Sequence, residues 1–152
     1  MIPTSRVDPA AALRNAGLRV TASRVAVLSE VTGGKHLTAD QVALAVRERI
    51  GTISTQAVYD VLGALNRAGL VRRIEPAGSP ARHETRVHDN HHHAVCRRCG
   101  AITDVDCVVG EPPCLWPADA SGFVIDEAEV TFWGLCPTCQ TTPKSHKKES
   151  AR

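Results

Sequence analysis

The segment ISTQAVYDVLGALNRAGL, residues 53–70, has the pattern of an amphipathic helix. Four apolar side chains recur at the i, i+3, i+4, i+7 spacing, which places them on one helix face: Val58, Val61, Leu62 and Leu65. Ser54 can cap the N-terminus, because its hydroxyl can accept a hydrogen bond from a backbone N–H of the first turn. Gly69 ends the helix. We predict a helix with one face in a core and an exposed polar face.

The residues before this helix predict further helices. Residues 9–17 form the first, with Pro9 in its opening turn. Thr21 is placed to cap the second. Thr38, with Gln41 three residues later, has the spacing of a capping box at the start of the third.

A β-hairpin is predicted after the helices. The segments LVRRI (70–74) and ARHET (81–85) have strand composition, and the Pro- and Gly-rich PAGSP between them is a turn. Helices followed by such a hairpin predict a winged helix-turn-helix domain over residues 1–86, within an α+β fold. This region has 12 basic and 7 acidic side chains, a net charge of +5. The charge suits nucleic acid, with ordinary solvated surface charge as the alternative.

The region from residue 87 to residue 143 has a β pattern and the opposite net charge, −6. Its predicted strands are HHHAV (91–95), AITDV (101–105), GFVI (122–125) and EVTFWGL (129–135). We predict a small second domain here, whose acidic and Cys/His-rich composition suits cations. The polar residues 144–152 are expected to form a disordered tail.

The composition also limits the cellular context. No apolar run has the length of a membrane span, and the N-terminus MIPTSRVDP lacks the apolar segment of a signal peptide. We therefore expect a cytoplasmic protein with no membrane partner. In that compartment, six cysteines are expected to be metal ligands rather than disulfides.

Four of the cysteines form two Cys-x-x-Cys pairs, Cys96 with Cys99 and Cys136 with Cys139. Two intervening residues let both thiolates bind one ion from a tight turn. Two such pairs predict a closed four-cysteine site for structural Zn(II), which leaves no position for a catalytic water. Disulfide or redox use of the same cysteines is the alternative.

Three consecutive histidines lie just before the first cysteine pair. Side chains alternate along a strand, so His91 and His93 are expected to point one way and His92 the other. The chain offers three further nitrogen or carboxylate ligands: His36, Glu84 and Asp104. Such ligands suit Fe(II), Mn(II), Co(II), Ni(II) or Zn(II). A merely hydrophilic strand edge is the alternative interpretation of the histidine run.

Six motifs, in this order, resemble the ferric uptake regulator (Fur) family of bacterial metal-responsive repressors: LRVTASRVAVL, HLTADQV, AVYDVLGAL, GLVRRIEPAGSPARHE, DNHHHAVCRRCG and GLCPTC. The resemblance covers residues 10–140. It is closest to the actinobacterial FurA/CatR branch, whose members often control a catalase-peroxidase gene and which shares the stretch DVDCVVGEPPCL. Many other family members have Arg at the position of Asp60.

The resemblance implies a role for each candidate residue. Regulatory metal ligands would be His36, Glu84, His91, His93 and Asp104. Structural zinc ligands would be Cys96, Cys99, Cys136 and Cys139. Contacts with double-stranded operator DNA would come from Arg19, Thr55, Gln56 and Tyr59. Independently of the resemblance, we expect Arg72 and Arg73 to contact phosphates, since most protein–DNA hydrogen bonds go to the DNA backbone. A partly buried packing role is the alternative for Tyr59. The resemblance also implies a homodimer formed through the second domain, and repression by the metal-loaded dimer.

A third metal site of the family corresponds here to Asn90, His92, Glu111 and Ala128. Asn90 and Ala128 replace histidines, so we do not predict this site, although Glu127 or Glu129 could substitute. The two remaining cysteines fit neither metal site: Cys107 and Cys114. We interpret them as small buried apolar residues, with a redox or haem role as the alternative.

Three functions can be compared. The first is a repressor that senses Fe(II), with peroxide relieving repression by oxidising His36 or His91, or that senses zinc or nickel instead. The second is a zinc-dependent enzyme. Zinc deaminases need H-x-E with a downstream P-C-x-x-C, whereas here His83 and Glu84 are adjacent and Pro137 follows its cysteine. The third is a zinc-stabilised DNA-binding protein without sensing. We predict the first, and not an enzyme.

Overall fold

The computed structural model describes residues 8–141, which form two compact units that divide between Asp89 and Asn90. We call them the first unit and the second unit. The predicted end of the first domain, Arg86, lies three residues before this division. The tail predicted to be disordered, residues 144–152, lies outside the described residues.

Four helices open the first unit: α1 (Pro9–Asn15), α2 (Ala22–Val31), α3 (Ala39–Ile50) and α4 (Thr55–Arg67). The predicted caps of three of them are confirmed. The Thr21 hydroxyl accepts from the Arg24 N–H, the Ser54 hydroxyl accepts from the Ala57 N–H, and the capping box at the start of α3 is complete. Within residues 8–141, no helix has both the length and the apolar character needed to cross a membrane.

The core of the first unit is aliphatic and is built by the helices. On α4, Val58, Leu62 and Leu65 are buried, as the predicted stripe requires, while Val61 is only partly buried at its edge. The other large members of the core are Leu13, Val27, Leu28, Val31, Val42, Val46, Ile53 and Val71. Burying these side chains is the main favourable term in folding this unit, at about 25 cal/mol per Å² of apolar surface.

A three-stranded antiparallel sheet completes the first unit: β1 (Leu37–Thr38), β2 (Arg72–Ile74) and β3 (Arg82–Glu84), in the order β1-β3-β2. The predicted hairpin is β2 with β3, and Arg72 lies opposite Glu84 in its register. The strand β1 was not predicted, because two residues are too short to show a strand pattern. Its pairing with β3 places Leu37 opposite His83.

The second unit has a sheet of β4 (His91–Cys96), β5 (Ile102–Asp106) and β6 (Thr131–Gly134), followed by the short helix α5 (Pro137–Thr141). The central strand β4 pairs antiparallel with β5 and parallel with β6. The strand predicted over residues 122–125 is wrong. These residues are not in a strand, and Val124 is 95% exposed. An apolar run forms a strand only where a neighbour pairs with its backbone.

Candidate metal centres and nucleic-acid surface

The two predicted cysteine pairs come together at one end of the second unit's sheet. Cys96 ends β4 and Cys99 lies in the turn that follows. Cys136 immediately precedes α5, and Cys139 lies within it. They meet because β4 and β6 are parallel neighbours, with Cys96 opposite Gly134. The segments that follow the two strands therefore leave the sheet at the same end.

The spacing of the four sulfur atoms fits one tetrahedral ion. All four lie within 4.8 Å of one another, and the Cys99 and Cys136 sulfur atoms are 3.6 Å apart. Two Zn–S bonds of about 2.3 Å at a tetrahedral angle would separate the sulfur atoms by about 3.8 Å. The cluster therefore offers four thiolates at the distances that a closed metal site needs.

The electrostatics of this cluster favour a cation. Backbone N–H groups of Cys136, Cys99 and Arg98 lower the pKa of Cys96 to about 6 by stabilising its thiolate. By contrast, burial and the neighbouring sulfur atoms raise the pKa of Cys139 to about 12. Four thiolates in so small a volume repel one another, and a bound dication removes that repulsion.

The second group of predicted ligands in this unit lies on one face of β4. His91 and His93 are both buried, and their rings meet edge to face. Asp104 lies on β5 directly opposite His93. Its Oδ1 atom is 3.8 Å from His91 Nε2 and 3.7 Å from His93 Nε2. These distances exceed a hydrogen bond but lie within the roughly 4.2 Å span of two ligand bonds of about 2.1 Å.

The first unit brings together two other predicted ligands. His36 lies just before β1, and Glu84 ends β3. Because these strands pair, His36 Nε2 lies 3.0 Å from Glu84 Oε2, and both side chains are almost fully buried. The Arg82 guanidinium donates to the His36 carbonyl and fixes the backbone there. The buried Glu84 carboxylate needs a partner such as His36, since removing its charge from water is unfavourable.

His92 faces away from His91 and His93, as strand alternation predicts, and lies close to the two remaining cysteines. Its Nε2 atom is 3.1 Å from Cys114 Sγ, and Cys107 Sγ lies within the same 4.8 Å cluster. The interpretation of Cys107 and Cys114 as buried apolar residues is therefore wrong. Both are partly exposed. No sequence signal indicated this cluster, because a loop brings Cys114 back to the strand.

The predicted DNA-binding residues lie on the first unit's surface. On α4, Gln56 and Tyr59 are exposed, and Gln56 Nε2 donates to Asp60 Oδ1 at 2.9 Å. Thr55 is partly buried, and its hydroxyl accepts from the Arg47 guanidinium at 3.0 Å. Arg47 was not among the predicted residues. Its guanidinium also donates to the Ile53 carbonyl and so anchors the start of the helix.

The basic candidates outside α4 occupy the hairpin and the approach to α2. Arg72 and Arg73 lie on β2, where Arg73 forms a 3.0 Å ion pair with Glu75. Arg19 is exposed, and its backbone carbonyl accepts a hydrogen bond from Arg24. The first unit thus has the helices, the hairpin and the exposed polar face of a winged helix-turn-helix domain.

Comparison with known proteins decides the family. Residues 15–112 match the model of the Ferric uptake regulator family, which is more than half of the chain. The chain belongs to this family. It is 57% identical to the transcriptional regulator FurA of Mycobacterium tuberculosis over 141 residues, which cover 91% of this chain and 96% of that protein. It is 59% identical to ferric uptake regulation protein 1 of Mycolicibacterium fortuitum over 128 residues, covering 84% and 80% of the two chains.

The Fur fold is supported by solved structures as well. The Vibrio cholerae ferric uptake regulator superposes with a TM-score of 0.65 at 24% identity, covering 83% of this chain and 98% of that one. This superposition confirms the α+β class. The relatives at 57% and 59% identity confirm the assignment to the actinobacterial FurA branch. Fur-family proteins are DNA-binding transcriptional regulators that act as dimers, which confirms a regulator rather than an enzyme.

Proposed function

We propose that this chain is a cytoplasmic, homodimeric repressor that binds double-stranded operator DNA when Fe(II) occupies a regulatory site. The proposal depends on one observation. The buried His91 and His93 on β4 both lie close to Asp104 on the neighbouring strand β5. Two imidazoles and a carboxylate converge there at distances suited to an ion. Buried ionisable groups of this kind are disfavoured unless they are paired or bind a metal.

The four-cysteine cluster is proposed to hold Zn(II) permanently. Four thiolates select a soft, tetrahedral ion, and a closed coordination shell gives that ion no open position for chemistry. Its role is to stabilise the second unit, whose small core alone supplies little stability. The regulatory metal is therefore a second ion with harder ligands.

We propose that the regulatory ion takes ligands from both units. His36 and Glu84 of the first unit form one incomplete ligand set, and His91, His93 and Asp104 of the second form another. An ion shared by both sets would restrict how the units move and favour a DNA-competent arrangement of the dimer. Linkage then requires that operator DNA tighten metal binding by the same factor.

DNA recognition is assigned to the exposed face of α4, with Gln56 and Tyr59 reaching bases or backbone. Thr55 lies at the start of the same helix, and Arg19, Arg72 and Arg73 are proposed to contact phosphates. The net charge of +5 over residues 1–86 supports this assignment. A dimer presenting two such helices would recognise half-sites about one helical turn apart.

Dimerisation is assigned to the second unit. Apolar side chains are exposed there in unusual number: Val108, Val109, Leu115, Trp116, Phe123, Val124, Phe132 and Leu135. Large exposed apolar area on a small domain indicates a protein–protein interface. We propose that a second copy of this chain covers these apolar side chains, in keeping with the dimers of the family.

The decisive experiment is an operator-binding titration at fixed salt with zinc-loaded protein and each divalent metal in turn. We expect Fe(II) to raise the affinity, with Mn(II) as a redox-stable substitute. A response only to Zn(II) or Ni(II) would identify a sensor of those metals. Equal affinity with and without every metal would establish a constitutive DNA-binding protein and end the proposal.

Peroxide is proposed to relieve repression through the bound iron. Bound Fe(II) would supply the electrons that convert peroxide to a strong oxidant, and His36 or His91 beside it would then gain an oxygen atom and lose affinity for the metal. Mass spectrometry after peroxide treatment should locate that oxygen in the Fe(II) protein and not in the Mn(II) protein. The exposed His88 serves as an internal control. Lost operator binding without oxygen on either histidine would reject this route.

A further inference from the structure

The face of β4 opposite the regulatory histidines carries a cluster that neither proposed metal site uses. It consists of His92, Cys107 and Cys114, whose ligand atoms all lie within 4.8 Å of one another. Cys107 follows β5, and Cys114 lies seven residues further along the loop. His92 is buried, whereas Cys107 and Cys114 are residues of intermediate exposure, which lets small solutes approach the cluster.

The hydrogen bonds of His92 determine where its ring proton lies. The backbone N–H of Val130 donates to Nδ1 at 3.3 Å, so Nδ1 carries a lone pair. In a neutral imidazole the proton is then on Nε2. That nitrogen lies 3.1 Å from Cys114 Sγ, so the ring donates toward the sulfur atom.

Cys107 lies in a turn that stabilises its thiolate. The backbone N–H groups of Gly110 and Val109, together with the Cys114 thiol, lower the pKa of Cys107 against an opposing effect of burial. The same i+2 and i+3 backbone pattern surrounds Cys96 in the zinc-type turn of this chain. The Cys114 sulfur thus lies close to both the His92 ring nitrogen and the Cys107 sulfur.

We propose that Cys107 and Cys114 form a dithiol that hydroperoxides oxidise to an intramolecular disulfide, without any metal. The Cys107 thiolate attacks the peroxide O–O bond, forms a sulfenic acid and releases water after protonation. The Cys114 sulfur then attacks the Cys107 sulfur, forms the S–S bond and releases a second water. Two thiols lose two electrons and two protons, and one hydrogen peroxide gains them.

A metal site built from the same three side chains is less consistent with the geometry. An ion bound at Nε2 would need the lone pair there and would move the ring proton to Nδ1. A metal-bound histidine normally donates through its other nitrogen. Here that other nitrogen accepts the Val130 N–H instead, so the arrangement favours thiol chemistry over coordination.

The test uses full-length dimeric protein loaded with zinc and free of iron, so that the four zinc-bound thiols are protected. The protein is treated with hydrogen peroxide, alkylated and mapped by mass spectrometry, before and after reduction with a dithiol. We expect the loss of two free thiols per chain and one reducible cross-link, Cys107 to Cys114. Oxidation confined to Cys96, Cys99, Cys136 or Cys139, or unchanged alkylation of Cys107 and Cys114, would overturn the proposal.

Variants separate the roles within the cluster. Cys114→Ser should stop the reaction at the Cys107 sulfenic acid, which a 1,3-diketone traps, whereas Cys107→Ser should abolish peroxide consumption by this pair. His92→Ala should slow cross-linking about tenfold, the effect of losing one hydrogen bond of ordinary strength to the Cys114 sulfur. His92→Gln, which retains a donor, should recover part of that rate. The parent protein could instead bind a second zinc ion besides the one at the four-cysteine cluster. Loss of that second ion in both Cys107→Ser and Cys114→Ser would overturn the proposal in favour of a metal site.

Discussion

His91 and His93 stand edge to face on one side of β4, with ring centroids 4.9 Å apart and planes inclined by 77°. Both Nε2 atoms approach the same oxygen of Asp104 from this arrangement. The two rings are therefore oriented toward a common point and not stacked for packing alone. This relationship is the structural basis of the proposed regulatory site.

Replacing one of these histidines should uncouple metal from DNA. In His93→Ala we expect the metal-dependent gain in operator affinity to disappear, a loss of roughly 5- to 150-fold if the coupling is typical. Fluorescence anisotropy with labelled operator, with and without Mn(II), measures it. His88→Ala changes an exposed histidine and should bind as the parent does. A His93→Ala protein that still responds fully to metal would contradict the assignment of His93.

Removing one thiolate of the four-cysteine cluster should unfold the second unit. Structural zinc contributes about 10–16 kcal/mol in small zinc domains, so Cys136→Ser should lose both the ion and the native fold there. Both tryptophans of the chain, Trp116 and Trp133, lie in residues 90–152, so their fluorescence reports on this unit. Cys107→Ser should keep one zinc ion and a native spectrum. Normal zinc content in Cys136→Ser would exclude a four-cysteine site.

Two substitutions on the first unit should weaken DNA binding in different ways. Arg73→Ala should lower affinity evenly across sequences and reduce the slope of log K against log salt by about 1, as expected for one phosphate contact. Tyr59→Ala, at a side chain that is 51% exposed, should reduce operator affinity with little change in stability. Arg49→Ala removes a basic side chain that pairs with Glu30 and serves as the control. An equal loss in Arg73→Ala and Arg49→Ala would mean that Arg73 acts only through the net charge.

The helical core gives a matched pair of leucines. Leu62 is 2% exposed and Leu44 is 61% exposed. Leu62→Ala should lower the free energy of unfolding by about 2–5 kcal/mol through lost burial and a cavity, whereas Leu44→Ala should change it by less than about 0.5 kcal/mol. Chemical denaturation followed by circular dichroism measures both. Similar effects at the two positions would contradict the packing described for α3 and α4.

Local chemistry explains how much of the fold was predictable. Thr21, Ser54 and the Thr38–Gln41 pair act on backbone groups within three residues, so their caps follow from sequence alone. The burial of Leu62 and Leu65 follows from helical periodicity, and the separation of His92 from His91 and His93 follows from strand alternation. In each case, the interacting atoms are neighbours along the chain.

Residue types and their local spacing are enough to predict the winged-helix pattern, the metal-binding residue types and the family resemblance. Only the tertiary structure brought His36 to Glu84, through a two-residue strand too short to predict, and carried Cys114 back to His92. It also left residues 122–125 unpaired despite their apolar character. The physical reason is that strand pairing and loop return depend on hydrogen bonds and contacts between distant segments, which no local pattern encodes.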